Sequence, residues 1–312
     1  MKLLEAVGQY VTHKQSMGMR FNSERRILKS FCCHQEGKDL THIGPGAVLE
    51  FIAGNGPPTR FWHRKHETLT GFYRFAIARG YVDGSPLPKH VPKLSRLFVP
   101  YIFSRVEIKR LLDSVEPCFA NPRCRIDAAT YRTLLLLLYG AGLRIGEAVS
   151  LTLADVDLDA ALLQIRESKF YKSRLVPVGT DLQKVLARHV ARRHADRADA
   201  NAPVFLRRTG HRLTRAAAEN AFCRLRIHSN VLRHDGARYQ PRLHDLRHTA
   251  ATHRLQFWYE SGADVQRLLP QLATYLGHVH ISGTQNYLAL TPEILQQASQ
   301  RFECYAAGDH HG

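Results

Sequence analysis

Cysteine is scarce in this chain and has no useful spacing. Cys32, Cys33, Cys118, Cys124, Cys223 and Cys304 form no Cys-x-x-Cys pair, so a zinc site is not expected. Long apolar runs are missing too. The greasiest stretch extends from about Tyr131 to Leu143 around Leu134–Leu138, which is short of a membrane span and reads as a buried helix. The first residues carry no signal-like apolar stretch, and there is no internal repeat or low-complexity tract. A reduced, cytoplasmic, water-soluble protein with no membrane partner is the expectation. Acidic residues are few as well: 27 Asp plus Glu face 44 Lys plus Arg, a net charge of +17. The excess is not a basic tail, since residues 1–95 carry +7 and the remainder +10. Such a balance suits a polyanion partner, because each phosphate neutralised releases counterions. The plainer alternative is that charge only aids solubility.

A length of 312 residues is too great for one typical core, so two domains are expected. Residues 1–83 read as helical, with Leu3, Leu4, Val7, Tyr10 and Val11 at helical spacing. A second helix is expected after Asn22 or Ser23 as cap, running through Ile27, Leu28 and Phe31. After Thr59, a helical wheel puts Phe61, Trp62, Leu69, Phe72, Tyr73 and Ala76 on one face and Arg60, Arg64 and Arg74 on the other. Residues 84–101 read as a basic, proline-rich linker: Pro86, Pro88, Pro92 and Pro100 break any helix. Residues 102–312 form the second domain. Ser104 and Glu107 make a capping box, and helices are expected around 126–139 and 145–151. A small antiparallel sheet is expected within 153–178, with strand-like Leu163, Ile165, Leu175, Val176 and Val178. Helices then resume at about 180–196, 214–227, 243–257, 270–276 and 292–303, with Pro270 in the first turn of its helix. The fold class is mainly α with one small antiparallel sheet.

Five residues in the second domain could handle a phosphodiester. Arg144 lies in Gly142-Leu143-Arg144-Ile145-Gly146-Glu147. His244 and Arg247 lie in His244-Asp245-Leu246-Arg247. His278 closes Tyr275-Leu276-Gly277-His278, and Tyr287 follows nine residues later. Cutting a phosphodiester needs an in-line nucleophile, positive charge on the equatorial oxygens and a proton for the leaving oxygen. Arginine's planar fork suits the oxygens. His244 and Arg247, three apart on a helix, share a face. Arg144 follows a Gly140-Ala141-Gly142 bend that should meet a helix start, a place suited to an anion. Taken singly, each residue has a plainer reading as solvated surface or packed core. His244 and His248 share the i, i+4 spacing of a zinc-binding helix, but Asp245 stands where that motif has Glu, so no metal is assigned.

The ordered set resembles the catalytic half of the tyrosine recombinases, the phage-integrase family of DNA strand-exchange enzymes. The resemblance covers residues 102–303; the N-terminal part is similar to the family's helical DNA-clamping domain in general character. Glu167-Ser168-Lys169 followed by Lys172-Ser173-Arg174-Leu175-Val176-Pro177 looks like the family's hairpin motif. The match puts Lys169 at the catalytic position and Lys172 and Arg174 among basic, DNA-binding positions; the outward arginines of the first domain, Arg60, Arg64 and Arg74, are read as DNA-binding from their helix face. The resemblance implies that Tyr287 attacks a DNA phosphate and stays joined to the 3′ side. Arg144 and Arg247 would then hold the oxygens, His244 would accept the proton, Lys169 would protonate the leaving 5′-oxygen, and His278 would hydrogen-bond the phosphate. Glu147 would orient the basic residues, or form a plain surface salt bridge. Neither ATP nor a metal cofactor is implied, since the bond energy is kept in the phosphotyrosine link.

Two departures stand out. Leu288 and Ala289 follow Tyr287 where many members carry His two residues on, and Ala263–Pro270 before the Leu-Gly-His motif is longer than in many phage members, which is similar to recombinases of transposons and other mobile elements. The implied partner is double-stranded DNA bearing specific sites, bound by a homotetramer, with accessory recombinases or DNA-bending proteins as further candidates. The helix expected at 292–303 would dock on a neighbouring subunit or on its own domain. Two rival readings are a type IB topoisomerase and a DNA-binding regulator without catalysis.

Overall fold

The computed structural model describes residues 1–54, 58–93, 99–166, 173–195, 199–237 and 239–277. The chain forms two compact units, residues 1–98 and 99–312, so the boundary falls within the 84–101 stretch. Among the described residues no helix is long and apolar enough to cross a membrane.

The first unit holds α1 (Leu3–Ser16), α2 (Asn22–His34), α3 (Pro45–Ala53) and α4 (Arg60–Ala78). They bury Leu28, Phe31, Leu69, Phe72 and Tyr73 in one apolar core. The start of α2 differs from expectation. Neither Asn22 nor Ser23 caps it; Phe21 precedes the helix in the left-handed region at φ 46° with no side-chain cap. The ring of Phe21 packs edge-on against Tyr10 at 5.4 Å, which offsets the cost of that backbone geometry. In α4, Thr59 accepts a hydrogen bond from the Trp62 amide, a regular N-cap. Phe61 does not join the core face: it is 57% exposed. It sits at the margin of the apolar arc in the first turn, beneath Lys65, whose Nζ lies 5.4 Å from the ring centre. Arg60, Arg64 and Arg74 are exposed, and Arg64 reaches Glu24 of α2 at 2.9 Å.

The second unit holds α5 (Arg105–Asp113), α6 (Val115–Phe119), α7 (Ala128–Gly140), α8 (Ile145–Ser150), β1 (Val156–Asp157), β2 (Leu162–Ile165), β3 (Arg174–Pro177), α9 (Thr180–His194), α10 (Arg215–His228), α11 (Asp245–Glu260) and α12 (Val265–Leu276). The strands form an antiparallel sheet in the order β1-β2-β3, with Leu163 opposite Val176 and Ile165 opposite Arg174. The leucine run makes α7 the central helix: Leu134, Leu135, Leu137 and Leu138 are all buried, and only a narrow stripe through Ala129 and Arg132 reaches solvent. The Ser104–Glu107 capping box at the start of α5 is formed in both directions.

Pro270 corrects the expected start of the last described helix. It lies inside α12, which begins five residues earlier at Val265. A proline inside a helix costs about 3 kcal/mol. Buried Leu269, Leu272 and Leu276 form one stripe across it, each worth roughly 1.5–3 kcal/mol of burial, and that stripe outweighs the proline. Asp264 caps the helix by accepting from the Arg267 amide at 3.1 Å. The helix expected at 292–303 lies outside the described residues.

The caps make a contrasting prediction. Ser104→Ala should lower the stability of the second unit by about 1 kcal/mol, whereas Asn22→Ala should shift the first by less than ~0.5 kcal/mol. Urea unfolding followed by the fluorescence of Trp258 and Trp62, one in each unit, measures both. Equal losses would show that the two helix starts are not different in kind.

Candidate active site

A helix leaves its last carbonyls without intrahelical partners, and its dipole makes that end negative. At the end of α12 those carbonyls face three arginines from three other elements. Tyr275 O accepts from Arg174 Nε at 2.9 Å, Leu276 O from Arg247 Nη2 at 2.5 Å, and Gly277 O from Arg144 Nη2 at 2.9 Å. The bend before α8 adds a fourth acceptor: Gly142 O takes Arg247 Nη1 at 2.7 Å. Arg247 is only 2% exposed, while about a quarter of the Arg144 side chain faces solvent.

Two glycines make this approach possible. Gly277 ends α12 at φ +68°, and a Cβ there would lie 2.7 Å from Arg174 Nη1. Gly142 turns at φ +60°, and a Cβ there would lie 2.9 Å from a Leu276 methyl. Both need the left-handed region and the space that a side chain would fill.

Glu147 joins two of the arginines. It is the third residue of α8, and Arg144 stands at the N-cap. Its carboxylate accepts from the Arg144 amide at 3.0 Å and Arg144 Nη1 at 2.7 Å. It also accepts from Arg174 Nη2 at 2.8 Å and Nη1 at 3.1 Å. Burial by itself would raise its pKa; the hydrogen bonds and charge of Arg174, then those of Arg144, override this and bring it down to about 2. The alternative of a plain surface salt bridge is excluded by a side chain only 7% exposed.

His244 immediately precedes α11 and Arg247 lies in its first turn. Partial burial, followed by the positive charges of Arg247, Arg242 and Arg144 and opposed by Asp245, lowers the His244 pKa to about 4. At neutral pH the imidazole is therefore uncharged and has a nitrogen able to accept a proton. Its ring stands edge-on to His248 at 5.0 Å. The start of α11 is fixed by Asp245, which is buried and accepts from the Arg242 amide at 2.8 Å and Arg242 Nη2 at 2.9 Å. Thr249 ties that turn down further, donating to Asp245 O at 2.9 Å and accepting from the Phe103 amide at 3.0 Å. Sequence reasoning weighed Asp245 only against a zinc motif and gave it no supporting role; an acid in the first turn of a helix, one residue after a candidate base, was the signal available.

The structure thus brings together Arg144, Glu147, Arg174 and Arg247, with His244 beside them. Lys169, Lys172, His278 and Tyr287 lie outside the described residues. Arg174 does not stand where a DNA-binding reading of it would put it. Its side chain is 10% exposed, and its guanidinium is turned inward onto Glu147 and the α12 end. Strand parity explains the direction, since Arg174 shares a face of β3 with fully buried Val176. Arg60, Arg64 and Arg74 belong to the other unit. Among the described residues no group of three or more His, Cys, Asp or Glu comes together as a metal site. A cleft of about 670 Å³ lined by Tyr139, His253, Phe257 and Trp258 also borders Gly142 and Leu276. None of Arg144, His244 or Arg247 lines it, so it abuts the backbone that supports the arginines and is not the anion site.

Residues 103–293 match the model of the phage integrase family. The chain is 38% identical to the y4rB integrase/recombinase of Sinorhizobium fredii, over 96% of each chain. It is 31% identical to the tyrosine recombinase XerA of Thermococcus kodakarensis, over 85% of this chain and 83% of that one. Among solved structures, the Tn1549 transposon integrase in complex with transposon right end DNA is similar in fold, with a TM-score of 0.70, 17% identity, and 98% and 100% of the two chains covered. A lambda integrase tetramer bound to a Holliday junction gives 0.67 with 15% identity, over 92% of this chain and 77% of that one.

The buried carboxylate has a pH signature. Its folded pKa of about 2 lies below an unfolded value near 4.3, so its stabilisation is full above that value and is lost as pH falls toward 2. His244 acts earlier: with a folded pKa of about 4 against roughly 6.5 unfolded, it lowers stability as pH falls between those values. Glu147→Gln should therefore lose on the order of 3 kcal/mol at pH 7 and flatten only the limb below pH ~4.5. Urea unfolding from pH 7 to 3 tests this; curves that stay parallel throughout would refute it.

Proposed function

The chain belongs to the phage integrase family and is a tyrosine recombinase, and from that premise we propose that it cuts and rejoins DNA at specific sites through a 3′-phosphotyrosyl intermediate. The observation that carries the proposal is the meeting of Arg144 and Arg247 on neighbouring carbonyls at the end of α12, with neutral His244 alongside. The carbonyls of Gly142 and Leu276 orient Arg247 without cancelling its charge, because they are dipoles and not anions. Such donors need no rearrangement when charge develops on the phosphoryl oxygens.

In the proposed reaction the Tyr287 hydroxyl attacks the phosphorus. The O–H proton passes to His244, the new phosphorus–oxygen bond joins Tyr287 to the DNA 3′ side, and the bond to the 5′-oxygen breaks. Lys169 supplies the proton that the 5′-oxygen takes up, and His278 hydrogen-bonds a phosphoryl oxygen. A tyrosine with an ordinary pKa of about 10 is a weak nucleophile at neutral pH, so both a base and local positive charge are needed. A bound phosphodiester brings a negative charge beside His244 and so raises the imidazole pKa from about 4, making it a better base when substrate is present. One diester is exchanged for another, so no ATP or metal is invoked.

The partner proposed is double-stranded DNA, with four copies acting on two duplexes in the cytoplasm at the nucleoid. The net charge of +17 supports a DNA partner, and the exposed Arg60 and Arg74 of α4 are its proposed contacts in the first unit, with Arg64 shared with Glu24. Likeness to the integrase of the transposon Tn1549 supports a role in a mobile element.

The test is covalent capture. Nicked duplexes tiled across the DNA flanking the gene should yield a protein–DNA adduct with wild type in the absence of metal and none with Tyr287→Phe, which should still bind. Recombination by Tyr287→Phe would remove Tyr287 as nucleophile; binding without any adduct would favour a regulator, and relaxation of supercoiled plasmid by a monomer would favour a topoisomerase. For the basic face, Arg60→Ala and Arg74→Ala should each reduce the slope of log K against log salt by about 0.9. An unchanged slope would take α4 out of the interface.

A further inference from the structure

We infer that Arg174 is a positioning residue for strand cleavage: it absorbs the negative charge of Glu147 and braces the α12 end, leaving Arg144 free to bind the phosphate. The inference rests on the proposed cleavage reaction.

The geometry is that of a clamp between three elements. Arg174 opens β3, opposite Ile165 at the end of β2, so it stands where the segment between the two strands returns to the sheet. It reaches Glu147 of α8 through both Nη atoms and the Tyr275 carbonyl of α12 through Nε. Gly277 is shaped around it, since any Cβ there would strike its guanidinium. A side chain 10% exposed and engaged in this way is a poor DNA contact.

The charge consequence follows from sharing. Glu147 Oε1 accepts from Arg144 Nη1 and from Arg174 Nη1 together, so one carboxylate is divided between two guanidinium groups. With Arg174 in place, the three groups keep a net positive charge that an incoming phosphate can meet. With Arg174 made neutral, Glu147 and Arg144 become a one-to-one pair, and the carboxylate competes with the phosphate for the same arginine. A positive charge at residue 174 therefore matters for cleavage even though it never touches DNA.

This produces an unusual expectation: removing Glu147's charge should repair the damage done by removing Arg174's. Single-turnover cleavage of the nicked duplex by the full chain should fall about 100-fold in Arg174→Gln and no more than about 10-fold in Arg174→Lys. DNA affinity should stay within about threefold of wild type. The double variant Arg174→Gln/Glu147→Gln should cleave at least about 10-fold faster than Arg174→Gln alone, because two neutral groups no longer cancel Arg144. Cleavage by Arg174→Gln within threefold of wild type would overturn the inference. So would a double variant as slow as the single one, or an affinity loss in Arg174→Gln that the double variant does not recover, the mark of a direct phosphate contact by Arg174. If Arg174→Gln does not melt cooperatively, Arg174→Lys and Gly277→Ala decide: the first keeps the charge and should cleave, the second keeps the charge but displaces it and should not. Wild type that forms no adduct on any duplex would instead refute the cleavage reaction itself.

Discussion

The negative end of α12 holds the second unit's chemistry together. Carbonyls that an isolated helix would leave to water are given to Arg144, Arg174 and Arg247, each from a different part of the chain. Hydrogen bonds to charged groups contribute roughly 1.5–3 kcal/mol each, and a cation at a helix C-terminus adds up to about 2 kcal/mol when partly buried. Those gains offset the desolvation of Arg247, which is 2% exposed and would otherwise be a heavy cost. The same bonds give each guanidinium one direction. Stability and preorganisation are thus one property here, since the acceptors that make burial tolerable also aim the donors.

Everything that sets the position of that helix end therefore reaches the site. The leucine stripe of α12 carries the helix through Pro270, and Leu276 presses against Gly142 on the bend that delivers Arg144. The central helix α7 ends at that bend, so the greasiest segment of the chain also places an arginine. Asp245 and Thr249 fix the first turn of α11, and with it His244 and Arg247. The polar bonds act over short range; their precision comes from an apolar core that leaves few ways to shift.

Much of this was legible in the sequence where local rules and tertiary context agree. The helices expected from α7 to α11, the small sheet and the Ser104–Glu107 box follow from periodicity and capping, and the structure has them. The arginine after a glycine bend and the His-x-x-Arg pair were found because each motif is short and carries its own geometry. Misreadings arose where a local rule met a longer-range one. Proline as a helix starter lost to an apolar stripe that runs from Val265 to Leu276, and that stripe was itself visible in the sequence. Asn22 and Ser23 as caps lost to the packing of Phe21 on Tyr10, a contact between separate helices that no local pattern announces. Phe61 fell at the margin of a helical face, where an angle alone does not decide burial.

Arg174 is the instructive residue, because a motif match and strand parity pointed in opposite directions. The basic run around it suggests an outward, DNA-facing loop, whereas parity places it on the face of buried Val176. Parity prevails for a physical reason. A strand residue cannot turn outward without turning its neighbours inward, and exposing Val176 to bury Leu175 would move the apolar set of β3 off the core. An arginine forced inward needs an acceptor, and Glu147 and the α12 end are the acceptors within reach. The acid and the helix end, each already occupied by Arg144, are thereby shared between two arginines. Sharing leaves the pair of arginines with more positive charge than the carboxylate can cancel, at a site whose histidine is neutral. The constraint that decides which way one strand faces is thus also what leaves charge available for an anion.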